Sequence, residues 1–211
     1  MGVKEAINKI IEGIDKNPFI VHRESDIQAM IYNELCKEYK QLYPTLLADK
    51  KGKVYQTGLV HCEYYFGKNE NKRMSGEKFD IVIFEKEDVE NINTHWLRIK
   101  RGRSEEIVKL DHVIEIKFES GLGCKNIKSY NGSTMQSDIQ KLNKFRRLHK
   151  KYKNHNSCLH FVCILRLWES EDKLKSYAAN IQKIRKHIKK DCDKYGITPY
   201  FNSNPSYIKK Q

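Results

Sequence analysis

The sequence predicts an α/β fold in which one mixed central sheet is flanked by helices. Three observations lead there. Two short and strongly apolar runs, 79–84 and 158–168, have strand character and need cover on both faces. They alternate with longer stretches whose apolar residues recur at helical spacing. The length of 211 residues suits one core rather than two.

The elements follow in order. Val3, Ile7, Ile10, Ile11 and Ile14 are interrupted by Lys4, Glu5, Lys9 and Glu12, which reads as an amphipathic first helix and not as a signal peptide. Asn17-Pro18 breaks it. A second helix is expected over about 24–40, with Ile27, Met30, Ile31 and Leu35 at helical spacing and Ser25 with Gln28 resembling a capping box. Val54, Tyr55, Leu59, Val60, Tyr64, Tyr65 and Phe66 favour strand within 52–66, and the polar stretch 68–78 reads as a hairpin-like loop. The run 79–84 is then a strand with one acid, Asp80, at its start. Residues 86–109 are polar and charged and read as an insertion.

His112–Phe118 is the next strand. Ile114, Ile116 and Phe118 point to one side, while Glu115 and Lys117 share the other. A turn with Gly121 and Gly123 leads to a helix over 134–152, carrying Ile139, Leu142, Phe145 and Leu148 on one face. The run 158–168 reads as a central buried strand. A helix over 170–192, with Leu174, Ala178, Ile181, Ile184 and Ile188 as its stripe, and a short strand over 197–201 precede a polar tail. No repeat or linker divides the chain, so 1–211 reads as a single domain.

Charge speaks to partners. The chain carries 40 Lys+Arg against 27 Asp+Glu, a net charge of +13, which points to a polyanion. DNA is the first expectation and RNA the second. With 31 Lys and 9 Arg, the chemistry fits contact with backbone phosphates better than bidentate reading of bases. Lys141, Lys144, Arg146, Arg147, Lys150, Lys151 and Lys153 form one basic cluster, and Lys183, Arg185, Lys186, Lys189 and Lys190 a second. Each run suits a phosphate-lined groove or a plain solvated helix face. Tyr130, Tyr152 and Tyr177 could stack on bases or simply pack. No apolar run approaches the roughly 20 residues of a membrane helix, and a soluble, cytoplasmic protein is expected. Six cysteines without a CxxC pair and eight histidines without HExxH give no support to a zinc site.

The motif with chemical content is Glu115-Ile116-Lys117. Inside an apolar strand, isolated charges cost several kcal/mol unless paired or bound to a metal. A simple ion pair at a sheet edge would satisfy them. Asp80 adds a second carboxylate, because antiparallel neighbours would bring it near Glu115. Two carboxylates and a lysine at strand ends make a hard oxygen site suited to Mg²⁺. Glu63, on the preceding strand, either lines that site or is an exposed strand charge.

Phe79-Asp80, an intervening segment and Glu115-Ile116-Lys117 together resemble the PD-(D/E)XK nuclease superfamily. The resemblance spans about 20–168 and implies a restriction-endonuclease-like αβββαβ core. The extra N-terminal helix and the C-terminal helix and strand lie outside it. It implies a Mg²⁺-dependent endonuclease hydrolysing DNA phosphodiester bonds, with Mn²⁺ able to substitute. Asp80 and Glu115 would hold the metal, helped by the Ile116 carbonyl, and Lys117 would position the attacking water. His22-Arg23-Glu24-Ser25-Asp26-Ile27-Gln28 resembles the acid-bearing first core helix, so Glu24 is carried over as an auxiliary ligand, with Glu34 as the fallback. Gln136, Asp138, Gln140 and Lys141 resemble the family's variable fourth motif, in which Gln136 and Gln140 would support the site. Phe79 stands where the family has Pro, and the gap from Asp80 to Glu115 requires the insertion. Cutting both strands with one site per chain would call for a homodimer. The competing expectation is a non-catalytic nucleic-acid-binding protein on the same scaffold.

Overall fold

The computed structural model describes residues 2–48, 54–66, 77–90, 109–120, 134–153, 155–169, 171–203 and 206–208. The chain begins with α1 (Val3–Lys16), whose Val3, Ala6, Ile7, Ile10, Ile11 and Ile14 are buried as the periodicity predicts. After a short turn of 3-10 helix at Pro18–Ile20 comes α2 (Glu24–Glu38), burying Ile27, Ile31 and Leu35. Its start differs from the expected capping box. Arg23 is the N-cap, and Asp26 reaches back to accept the N–H groups of His22 and Arg23, at 2.7 and 3.2 Å. This satisfies orphan donors of the first turn and leaves Ser25 and Gln28 free for another task.

β1 (Tyr43–Ala48) and β2 (Val54–Thr57) form a separate antiparallel pair, and β1 was not expected. β3 (Val60–Phe66) and β4 (Glu77–Phe84) open the main sheet. A short helix α3 (Lys86–Glu90) follows, then β5 (Leu110–Ser120). α4 (Thr134–Lys153), β6 (Cys158–Glu169), α5 (Glu171–Tyr195), β7 (Thr198–Phe201) and β8 (Ser206–Ile208) complete the chain. Most of the expected insertion, 91–108, lies outside the described residues, as does the loop 121–133 with Tyr130.

The main sheet has the order β3-β4-β5-β6-β7, with β8 paired to the far end of β6. β3/β4 and β4/β5 are antiparallel, whereas β5/β6 and β6/β7 are parallel, so the sheet is mixed. Leu159 through Leu167 of β6 are all buried, which requires cover on both faces. α2 packs against β3, β4 and β5, α4 against β5, and α5 against β6 and β7. Gly196, at φ +59°, takes the left-handed position that ends α5.

Two polar side chains brace this frame. Arg166 on β6 is buried and donates to the carbonyls of Pro18 (2.8 Å) and Val21 (2.6 Å), with its guanidinium over the rings of Phe19 and Phe118. It therefore pins the connection that launches α2. Asn202 brackets β6 by accepting from Leu165 N–H at 3.0 Å and donating to the Leu165 carbonyl at 2.7 Å.

Candidate functional site

The site grows out of the β4/β5 ladder. Ile81 pairs with Ile114 and Val82 with Val113, so the next residues, Asp80 and Glu115, come across from one another. Asp80 is the fourth residue of β4 and not its first, because Glu77 and Lys78, read as loop, pair with Phe66 and Tyr65 of β3. The Asp80 Oδ2 accepts the Ile116 N–H at 2.7 Å. Ile116, expected to offer its carbonyl, also meets the site through its N–H.

α2 supplies the next groups. Glu24, its first residue, accepts from the Phe118 N–H at 3.3 Å and from the Lys117 ammonium at 2.9 Å. Gln28, one turn on, donates to the Asp80 carbonyl at 2.7 Å and lies 3.4 Å from the Glu63 carboxylate. Glu63 forms an ion pair with Lys78 and holds φ +57°. For a non-glycine residue that conformation costs on the order of 1 kcal/mol or more, and such strain concentrates at functional sites.

α4 closes the other side. The Lys141 ammonium donates to Glu115 Oε1 at 2.5 Å and to the Lys78 carbonyl at 2.9 Å. It also lies 3.9 Å from Asp138 and 5.4 Å from the centre of the Phe79 ring. The result is an open cleft of about 580 Å³ lined by Glu24, Ser25, Gln28, Glu63, Lys78, Asp80, Glu115, Ser137, Asp138 and Lys141.

Its electrostatics are those of crowded acids. Burial, with Asp80 opposite, pushes the Glu115 carboxyl up to about 9, and Lys141 offsets this only in part. Burial also raises Asp80 above the ordinary carboxylate range, against the lowering effect of the Ile116 N–H and Lys141. Asp138 is raised by burial too. Burial works against the charge of Lys117, but its hydrogen bond to Glu24 and the neighbouring acids outweigh that and hold it above the ordinary value. It is an ammonium at neutral pH, a donor and not a base.

A divalent cation suits this arrangement on three grounds. Glu115 Oε2 is buried without a hydrogen-bond partner among the described residues. The donors are all hard oxygens, the set Mg²⁺ and Mn²⁺ prefer. Five carboxylates gather around three ammoniums, those of Lys78, Lys117 and Lys141, so full ionisation leaves two negative charges uncompensated. A tighter cluster of possible ligand atoms, all within 4.8 Å, joins Glu85, Asp111 and His155 beyond the other end of the β4/β5 ladder. There the Lys109 ammonium, 3.1 Å from Glu85, offsets one of the two carboxylates, and Glu85 Oε2 and His155 Nε2 are likewise buried without a hydrogen-bond partner among the described residues.

Of the expected site residues, Asp80, Glu115 and Glu24 line the cleft, and Lys117, which is not among the lining residues, joins them through Glu24. Others do not. Glu34 is buried between α1 and α2, where it pairs with Lys9 and with Lys37 at 2.8 Å, well removed from the cleft lining. Lys141, expected on a phosphate-facing surface, is instead enclosed in the cleft because Glu115 and Asp138 draw it inward. Arg146 is a brace: it donates to the carbonyls of Tyr195 and, at 2.6 Å, Gly196, joining α4 to the end of α5. Arg185 is likewise spent on the Asn202 carbonyl at 2.5 Å. Gln136 and Gln140 are not among the cleft-lining residues, whereas Ser137 and Asp138 are. Lys144, Arg147 and Lys150 are exposed on α4, and the side chains of Lys151, Tyr152 and Lys153 lie outside the described ones. Tyr177 packs against the core.

Lys78, Ser25, Gln28 and Ser137 are the lining residues that sequence reasoning did not place in the site, and Lys141, read in the fourth-motif resemblance and in a basic run, was not foreseen as the partner of Glu115. Lys141 had a signal: with Asp138 and Phe145 it falls at i, i+3 and i+7 along the edge of the apolar stripe, unlike Lys144 and Arg147. No family model, curated protein or solved structure matches the chain.

Proposed function

We propose that this cleft is the catalytic centre of a Mg²⁺-dependent nuclease that hydrolyses DNA phosphodiester bonds. The observation carrying the reading is the meeting of Asp80 and Glu115 across β4 and β5, with Glu115 Oε2 buried and unpartnered, beside the Glu24-bound Lys117. With the β1/β2 pair and the short α3 set aside, the order α2-β3-β4-β5-α4-β6 runs αβββαβ with acids on α2, β4 and β5, which supports the resemblance to the PD-(D/E)XK superfamily.

Asp80 and Glu115 are the residues that would hold Mg²⁺, or Mn²⁺ in its place, with the Ile116 carbonyl and Glu24 as auxiliary donors. When bound, the ion supplies Lewis-acid compensation for charge growing on the phosphate. Lys117 stays protonated, and so orients the attacking water by donating to it. Glu24 holds Lys117 in place, and its tie to the Phe118 N–H fixes that hold relative to β5. The exposed Lys144, Arg147 and Lys150 lie on the same helix as Lys141 and would steer the phosphate backbone toward the cleft. RNA is the second substrate class, since lysine-rich surfaces do not read the 2′-hydroxyl.

The test is cleavage of single-stranded, linear duplex, circular and branched DNA, and of RNA, with Mg²⁺ or EDTA. Lys117→Ala is expected to lower the rate by roughly two orders of magnitude or more without loss of folding. Equal cutting in EDTA, or by Lys117→Ala, contradicts the proposal. One observation favours a second reading: the lysine–carboxylate pairs of the cleft would also suit a scaffold that only binds nucleic acid. Tight, salt-sensitive binding without cleavage under any divalent metal would select it.

A further inference from the structure

We infer that the ammonium of Lys141 is a tethered stand-in for the divalent cation, resting on Glu115 until the ion displaces it. This rests on the reading of the cleft as a metal centre and adds to it a determinant of metal affinity. Every group around the Lys141 ammonium is one that a cation seeks. Glu115 Oε1 lies at 2.5 Å, the Lys78 carbonyl at 2.9 Å, an oxygen of Asp138 at 3.9 Å and the face of Phe79 at 5.4 Å. The side chain is only 15% exposed and comes from a helix on which Lys144 and Lys150 are exposed. Lys141 thus occupies one oxygen of Glu115 while the other stays buried without a partner.

The ammonium holds Oε1 and leaves Oε2 open, so an ion that takes Glu115 through both oxygens displaces the ammonium against the repulsion of like charges, and metal affinity is lowered by whatever that pair is worth. The displaced side chain remains in the cleft, where a phosphate of bound nucleic acid would be its nearest new partner. Metal binding and phosphate binding then reinforce each other, because the phosphate stabilises the displaced position of Lys141. Little metal would be held until nucleic acid arrives.

The experiment is calorimetric titration of Mg²⁺ alone into the metal-stripped full chain, in alkaline buffer so that protons do not compete. Lys141→Met is expected to bind Mg²⁺ roughly tenfold or more tightly than wild type, whereas Lys141→Arg is expected to show no gain. Unchanged or weaker binding by Lys141→Met overturns the inference. Asp80→Asn separates the two levels. If Asp80→Asn loses Mg²⁺ while Lys141→Met gains nothing, the metal centre stands and the stand-in falls. If Asp80→Asn binds like wild type, the metal centre itself is refuted, and the inference with it. Should Lys141→Met fail to fold, the wild-type chain carries the test. Amine acylation of Lys141, read by mass spectrometry against Lys144, is expected to speed up several-fold at saturating Mg²⁺. Equal reactivity with and without Mg²⁺ overturns the inference.

Discussion

At the scale of single residues, the site is held against its own stability, and Glu115 shows how. Its folded-state pKa of about 9 lies above the ordinary 4.5, so the native chain keeps a proton that the unfolded chain releases between those values. The favourable contribution is complete below pH 4.5 and fades as pH rises toward 9. Glu115→Gln should therefore stabilise the metal-free protein at pH 8, by on the order of a few kcal/mol, and so raise its melting temperature while abolishing cleavage. A lower melting temperature in Glu115→Gln would contradict this. His160 acts in the opposite sense. Burial, with His112 beside it, depresses it from 6.5 to about 3. Its contribution is complete above pH 6.5 and is lost as pH falls toward 3, so denaturation curves should show a steep acid limb that His160→Gln flattens. Glu115 and Lys117 were legible from period-two spacing in an apolar strand, and Asp80 from its place in the neighbouring run. The pairing of Lys141 with Glu115 was hidden, because a lysine in a lysine-rich helix looks like surface until a buried acid draws it in.

At the scale of elements, α2 is the part most finely placed. Glu24 and Gln28 tie it to β5 and β4, and Arg166 fastens the chain just before it. Arg166→Ala leaves the Pro18 and Val21 carbonyls without their donor and empties the space between Phe19 and Phe118. It should cost about 3 kcal/mol in chemical denaturation. It should also reduce cleavage beyond the change in folded fraction, because α2 positions Glu24. A variant with the lost stability but full activity per folded molecule would detach α2 from the site. Helix periodicity, the buried run of β6 and the antiparallel approach of β4 to β5 were all readable from sequence. β1 was not, since it is short, contains Pro44 and pairs only with β2 outside the main sheet. The start of β4 was missed because Glu77 and Lys78 are charged, yet cross-strand pairing with β3 places them in the ladder. The cap of α2 was misassigned because Asp26, three residues past Arg23, does the capping that Ser25 appeared to offer.

At the scale of the whole molecule, the α/β class and the mixed sheet flanked by helices are the readable part, and the long-range geometry of the cleft is what spacing could not give. Among the described residues no helix is long and apolar enough to cross a membrane. The net charge is +13, so the proposed nucleic-acid binding should weaken steeply with salt. Replacing Lys144, Arg147 and Lys150 together by Gln should reduce the slope of log affinity against log salt by about 2 to 3. An unchanged slope would move the phosphate path off α4. The most direct measurement of the central claim is anomalous scattering from crystals of this chain soaked in Mn²⁺. A peak within coordination distance of both the Asp80 and Glu115 carboxylates is the predicted result. A peak only at Glu85, Asp111 and His155, or none while Lys141 still rests on Glu115 at saturating Mn²⁺, would contradict it.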